Sequence, residues 1–426
     1  MKKIIFAFAL LAVAGTASAQ DKIVRKARDL KDEVQNLMAI PDRKEKETQV
    51  MNQKMAQCME MITPTLTSPE TKKELANAWD IKAQLHKYIF SPLLDNVINK
   101  QPTDTAQLAD NIYAALDALE ECYKATKALG LKEEKDVYTF PNKLDVIRFR
   151  PYVAYCGQMF FTNQQHAKAL DAFRRWMNYP KTYTILGDDA ASMAADEQTP
   201  QIAYFTCLAA YFAKDYAALM EFIPQARAYT QERDQVNQLY LTAFIEQGDT
   251  AQWLKAATDI VLEDPEANDG IAQNVLAYYF TKGDYTEVDG FVNKLLAKNA
   301  QSKLGNYAKG LVFMNGHKYI EAISYFDKAI ETDPTYSDAY YNAGVCYSNH
   351  GYDVNESLSG KKMTPQQQKE ALKPVREAYE KAEPYFLKVK ELEPDNPHKW
   401  ASRLATVYYI LENKEKQAEY EKLAGY

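Results

Sequence analysis

Apolar residues along much of this chain recur at three- and four-residue spacing, the period of a helix with one buried face. The pattern is clearest from Lys303 to Tyr336, where KLGNYAKGLVFMNGHKYIEAISYFDKAIETDPTY holds two amphipathic helical runs. Asn315-Gly316-His317 joins them and Asp333-Pro334 closes the second. Gly310, Phe313, Tyr319, Ala322, Phe326, Ala329 and Pro334 stand where a helix pair needs a small residue for close approach, an aromatic to fill the gap, small residues at the crossing, and a stop. The spacing predicts one helix-turn-helix unit of 34 residues.

Upstream, Asp21 to about Glu60 is helical and charged, with Met51, Met55, Cys58, Met59 and Ile62 on one stripe. Sulfur-rich stripes can bind soft metals, but this helix lacks the His or M-x-M spacing of such sites, so gap-filling core is the reading. Ser68-Pro69-Glu70 has the hydroxyl, proline and acid of a helix start, and the helix is expected to reach about Ile89, where Ser91-Pro92 interrupts it. Asp104 with Gln107 three residues on opens another, carrying Leu108, Ile112, Leu116 and Leu119 towards Gly130. Residues 20–149 thus read as a helical N-terminal region of degenerate pairs.

The order of small, aromatic, small, aromatic and Pro positions in the 303–336 unit resembles the tetratricopeptide repeat, whose period is about 34 residues. Gly157, Phe160, Ala169, Phe173 and Trp176 keep that order from Pro151 onward; Tyr204, Leu208, Tyr211, Leu219, Ile223 and Ala226 follow it with a shortened turn. Tyr240, Phe244, Gly248, Ile260 and Pro265 mark a degenerate unit, and Val275, Tyr279, Gly283-Asp284-Tyr285, Val288, Val292 and Leu295 another. Residues 181–199 break the period as an insertion. Ser337 starts a unit with Tyr340, Gly344 and Tyr347, its first helix ending near Asn349-His350. Its second helix, with Ala382, Phe386 and Pro394, comes late: Pro394 follows Pro334 by 60 residues. The excess lies near 353–376, where Thr364-Pro365 opens a helix and Pro374 is expected to kink or interrupt it; a functional loop and a lengthened helix pair both fit. Trp400, Leu404, Ala405, Tyr408 and Ala418 form the last unit. The resemblance implies an all-α solenoid of helix pairs over 150–426, stacked so that neighbours bury one continuous core and leave a concave inner wall.

The first 19 residues carry Lys2-Lys3, the apolar run Ile4 to Ala14 and the small-residue end Ala17-Ser18-Ala19, the pattern of a cleaved secretory signal. Cleavage after Ala19 takes the formal charge from −7 to −9. No cysteine follows the junction, so N-terminal lipid attachment is not expected, and no later apolar run reaches the roughly 18 residues of a membrane span. A periplasmic or secreted protein is expected. Acidity without a long basic cluster argues against nucleic acid. Five cysteines, Cys58, Cys122, Cys156, Cys207 and Cys346, lie far apart with no C-x-x-C spacing, which favours buried thiols over a disulfide framework or a metal site.

No phosphate loop, H-E-x-x-H or G-x-S-x-G occurs, and His86, His166, His317, His350 and His398 lie in unrelated contexts. Tyr123 and Lys127 have the spacing of some dehydrogenase pairs, without a nucleotide loop; on a helix that spacing is simply one face. No enzyme, cofactor or metal is expected. In the tetratricopeptide family the first helix of each pair lines the inner wall, which here places Gln273, Asn274 and Ala277, then Tyr307, Leu311 and Met314, then Tyr341, Asn342, Val345 and Asn349 towards a groove. One subclass grips a C-terminal carboxylate with Lys and Asn on this wall. Tyr307 and Leu311 occupy the first two of those positions and only Asn342 agrees, so a neutral peptide or a helix suits the groove better.

Three readings follow. The first is a non-enzymatic protein-interaction scaffold of the cell envelope. The second is a glycan-binding envelope protein that uses some of its 30 tyrosines as stacking platforms. The third is an enzyme with its site in the 353–376 insertion. The signal, the Tyr- and Lys-rich units and the interrupted penultimate repeat together resemble tetratricopeptide proteins of the Bacteroidetes envelope.

Overall fold

The computed structural model describes residues 17–68, 71, 74–130 and 135–425, and among these every regular element is helical. The expected signal therefore lies almost wholly outside the described residues. Two compact units, Met1–Ala243 and Phe244–Tyr426, make up the chain.

The first unit holds α1 (Ala17–Met38), α2 (Glu45–Leu66), α3 (Leu75–Ile98), α4 (Thr105–Ala128), α5 (Thr139–Thr162), α6 (His166–Thr182), α7 (Asp189–Ala194), α8 (Thr199–Phe212), α9 (Tyr216–Ala226) and most of α10 (Arg233–Glu246). Short connections make consecutive helices pack as hairpins, α1 on α2, α3 on α4, α5 on α6 and α8 on α9. The sulfur-rich stripe of α2 is core: Cys58 and Ile62 are sealed against Val24 and Ala27, with Met55 and Met59 packed beside them. Asp104 caps α4 by accepting the Gln107 N–H at 3.0 Å. Of the predicted start at Ser68-Pro69-Glu70, Pro69 and Glu70 lie outside the described residues, and α3 begins at Leu75.

The expected break at Ser91-Pro92 does not occur. α3 runs through Pro92 to Ile98, because Leu93, Leu94 and Val97 beyond the proline pack against the core and so offset one missing backbone hydrogen bond. The 181–199 insertion is likewise built into the unit. Tyr183, Ile185 and Leu186 are buried, and the buried Glu120 carboxylate of α4 accepts the Ile185 N–H at 3.1 Å and the Thr184 hydroxyl. Arg150 pins α7 from α5, donating to Asp196 Oδ2 at 2.8 Å and to the Met193 carbonyl at 3.0 Å while its guanidinium stacks 3.7 Å from the Trp176 ring centre.

The second unit continues with α11 (Thr250–Glu263), α12 (Asp269–Lys282), α13 (Tyr285–Lys298), α14 (Lys303–Asn315), α15 (Tyr319–Thr332), α16 (Ser337–Leu358), α17 (Pro365–Ala371), α18 (Lys373–Leu392), α19 (Pro397–Ile410) and α20 (Lys414–Ala424). The turns before α11, α13, α15 and α20 share one form. Gly248, Gly283, His317 and Glu412 all sit at left-handed φ between 58° and 69°. The following residue, Asp249, Asp284 or Asn413, caps the next helix by accepting the N–H three positions on; Lys318, after His317, makes no such cap. In two of the pairs, α14 with α15 and α16 with α18, a glycine faces a ring. A Cβ on Gly310 would lie 2.5 Å from Phe326, and one on Gly344 would lie 2.8 Å from Phe386. The backbones approach closely enough for the ring to pack on bare Cα, and each fully buried Phe contributes about 1.5–3 kcal/mol. Lys309 of α14, itself buried, reaches back to α13, donating to Asn293 Oδ1 at 2.7 Å and to Asp289.

The late second helix of the penultimate pair has a plain geometric origin. α16 does not end near Asn349-His350 but runs to Leu358, 22 residues against 13 in α14, so the hairpin rises about 13 Å further. Gly351 meets Tyr379 as Gly344 meets Phe386, seven residues along on both helices, so the crossing contact is simply repeated two turns further out. Thr364 caps α17 in a capping box with Gln367. The helix that Thr364 opens is interrupted as expected: α17 stops at Ala371, and Pro374 falls in the first turn of α18, where its missing N–H has no partner to lose.

Candidate partner-binding cleft

The functional surface suggested by the sequence lies entirely within the second unit. Asp269, Gln273, Leu276, Ala277 and Phe280 recur along one face of α12, and Lys303, Leu304, Tyr307, Ala308 and Leu311 along one face of α14. With Tyr336 and Asp338 at the start of α16, the two faces enclose a cleft of about 380 Å³. Its floor is aliphatic and aromatic. Its rim carries two carboxylates, an ammonium group and an amide.

Tyr307 is the pivot. Its ring lies 4.9 Å from that of Tyr336 and 5.7 Å from that of the buried Phe326, so it is wedged between the cleft and the core. Its hydroxyl accepts the Asn342 Nδ2–H at 2.9 Å. Burial, then the nearby Asp338 charge, push the Tyr307 phenol up to about 12, so it stays neutral and free to donate. Burial likewise raises Tyr336, with Tyr307 and Asp338 adding to it. Lys303 reaches Asp333 at 3.1 Å and lies over the Tyr336 ring, 5.1 Å from its centre. Lys399 of α19 holds Asp338 at 2.7 Å and Glu393 at 2.5 Å. Glu393 is drawn down to about 2, chiefly by its Lys399 and Ser337 hydrogen bonds.

Of the ten residues expected in the groove, Gln273, Ala277, Tyr307 and Leu311 meet in this cleft. Asn342 stands behind it, committed to the Tyr307 hydroxyl. Asn274 is exposed on α12 outside the lining. Met314 packs half-buried against the core around Phe326, and Val345 against that around Phe386, whereas Asn349 is half-buried on the lengthened α16. Tyr341 looks the other way along the wall, its hydroxyl accepting Arg403 Nε–H at 3.2 Å and Nη2–H at 3.1 Å. Of the lining residues not anticipated, Asp269, Lys303, Leu304, Tyr336 and Asp338 sit in first turns or just before them, and Leu276, Phe280 and Ala308 lie further along α12 and α14. Carrying positions over from the middle of first helices passes by helix starts, and no periodic signal marks them.

The other candidate chemistries resolve as packing. All five cysteines are buried free thiols, raised by burial, Cys58 to about 11 and Cys156, Cys207 and Cys346 to about 12. Lys127 lies over the Tyr123 ring on one helix face, and the His317 Nδ1 sits 2.8 Å from the Tyr319 hydroxyl in its turn.

Residues 325–358, from the second half of α15 through α16, match the family model of the tetratricopeptide repeat. The chain carries a tetratricopeptide repeat. No curated protein matches the chain. Among solved structures, it is similar to the C-terminal part of a TPR repeat-containing protein from Cytophaga hutchinsonii, at 16% identity over 63% of this chain and 92% of that one, with a TM-score of 0.37. A TPR repeats protein from Bacteroides fragilis aligns at 14% identity over 64% of this chain and 98% of its own, with a TM-score of 0.33. A tetratricopeptide repeat protein from Parabacteroides merdae aligns at 14% over 66% and 100%, with a TM-score of 0.28. At such identities and scores these likenesses carry no information about what the cleft binds. Among the described residues no helix is long and apolar enough to cross a membrane.

Proposed function

We propose that the protein is a non-enzymatic interaction scaffold of the cell envelope, periplasmic or secreted, which holds a segment of a partner protein in the cleft between α12, α14 and the start of α16. The observation that carries this reading is the convergence of Gln273, Tyr307 and Leu311 on one aliphatic-floored cleft of about 380 Å³. A volume of that size takes one or two side chains of a passing chain, with hydrogen-bonding groups at the rim to fix its direction. Tyr307 is already held by Asn342 and Tyr336, so little side-chain entropy is lost when a ligand packs on it. The tetratricopeptide family, one of protein-binding modules, agrees with the reading, and the signal-like N-terminus supports the compartment. The glycan alternative needs exposed aromatic platforms; of the described tyrosines only Tyr352 and Tyr409 are exposed, on different helices.

The test is site-directed photo-crosslinking in envelope extract, with the cross-linker at Gln273 and, as control, at the exposed Ser324 of α15. A partner captured from Gln273, absent from Ser324, and lost when Ala277→Arg fills the cleft supports the reading. Ala277 is exposed, so that change leaves the fold intact. Equal capture from both positions, or capture unaffected by Ala277→Arg, overturns it.

A further inference from the structure

The charge around the cleft restricts what can enter it. Four carboxylates, Asp269, Asp333, Asp338 and Glu393, lie on or beside the rim, against two ammonium groups, Lys303 and Lys399. Both cations are consumed internally: Lys303 by Asp333 and the Tyr336 ring, Lys399 by Asp338 and Glu393. Asp269 has no cation within ion-pair distance among the described residues, and accepts only the Gln273 amide at 2.9 Å. Asp338 keeps more than half of its side chain exposed despite Lys399. Acids in a first helical turn also serve the helix dipole. These two differ from an ordinary first-turn acid because they flank one apolar floor, from α12 on one side and α16 on the other.

Resting on the groove reading above, we infer that the cleft selects a protein segment in which a Lys or Arg accompanies an aliphatic side chain, the aliphatic group on the floor and the cation between Asp269 and Asp338. The Tyr307 ring, which lines the same cleft, gives the cation a second attractive surface. A segment ending in an acidic tail meets the unpaired Asp269 and the largely exposed Asp338, with both ammonium groups already paired, the reverse of a carboxylate clamp. The local charge adds to a chain that carries a net charge of −7, so the approach of a basic segment is accelerated at low salt.

The experiment titrates the full chain with three labelled short peptides, alternating Leu with Arg, Leu with Gln, and Leu with Glu, read by fluorescence anisotropy. The Leu/Arg peptide is expected to bind about tenfold more tightly than Leu/Gln, and Leu/Glu more weakly than either. Asp269→Asn with Asp338→Asn should bring Leu/Arg to the level of Leu/Gln and leave Leu/Gln unchanged. Asp269→Asn alone, at a half-buried site without an ion-pair partner, should remove part of the preference even if loss of the Lys399 contact perturbs the double variant. Asp353→Asn with Glu356→Gln, on the lengthened hairpin, should change nothing, which separates the cleft from the general acidity of the chain. Equal binding of the three peptides, tightest binding of Leu/Glu, a preference surviving in both Asp269 variants, or no binding of any peptide overturns the inference. The cross-link from Gln273 decides independently whether the groove reading falls with it: a partner trapped there but insensitive to both carboxylates leaves the groove standing and removes only its preference for cations.

Discussion

Replacing Gly310 by alanine sets two known effects against each other at one atom. Glycine in a helix interior costs about 1 kcal/mol relative to alanine, so propensity alone makes the change stabilising. The new Cβ, however, would stand 2.5, 2.7 and 2.9 Å from Cε1, Cδ1 and Cζ of Phe326. That ring is fully buried and also packs against Tyr307, so it cannot swing into solvent and α14 must move away from α15. Overpacking of this kind costs about 1–3 kcal/mol, so that Gly310→Ala is expected to be net destabilising, by up to about 2 kcal/mol. Gly290 of α13 is the control, because a Cβ there meets nothing within 4 Å; Gly290→Ala should stabilise by up to about 1 kcal/mol. The assay is urea unfolding followed by far-ultraviolet circular dichroism, with a third variant carrying Phe326→Leu beside Gly310→Ala. The smaller side chain should make the pair less destabilising than the sum of its parts. If Gly310→Ala is as stable as the parent, or the two alanine variants shift together, the close approach of α14 and α15 is not what the glycine serves.

Two further outcomes follow from the turns and the rim. His317 holds φ 58° in the turn where the neighbouring pairs use Gly248 and Gly283, so His317→Gly is expected to stabilise by about 0.5–1 kcal/mol, whereas His317→Ala keeps the strain and loses the Tyr319 contact, and should destabilise; thermal unfolding decides, and equal effects refute the account. Glu393 has a depressed pKa in the folded chain, so it contributes stability above the ordinary glutamate range that is lost as pH falls through about 2; between roughly pH 4 and that value the parent should lose stability faster than Glu393→Gln, and parallel acid curves would remove Lys399 and Ser337 as its partners.

The helix pairs from Lys303 onward were legible because each needs a particular residue at a particular place. Gly310 and Gly344 stand under a ring, Ala322 and Ala382 are fully buried, and Asp333-Pro334 ends a helix, and all of these follow from local rules. So did the caps at Asp104 and Thr364, which satisfy backbone groups within three residues of themselves. The errors came where a local stop signal competed with distant packing. Pro92 lost to the apolar residues that follow it in α3, and Asn349-His350 lost to the Gly351–Tyr379 contact that carries α16 two turns further.

By itself, then, the sequence determined the elements whose causes are local: helix period, turns, caps, and the small-to-aromatic crossing within a pair. Only the tertiary structure decided which of the inner-wall residues meet. Gln273 comes from α12 but Tyr307 and Leu311 from α14, Asn342 is drawn away by a hydroxyl 35 positions distant, Tyr341 is turned towards Arg403, and the acids that rim the cleft stand at the starts of α12 and α16. Those outcomes depend on how one pair stacks on the next, a sum of many contacts distant in sequence, which no single residue or spacing encodes.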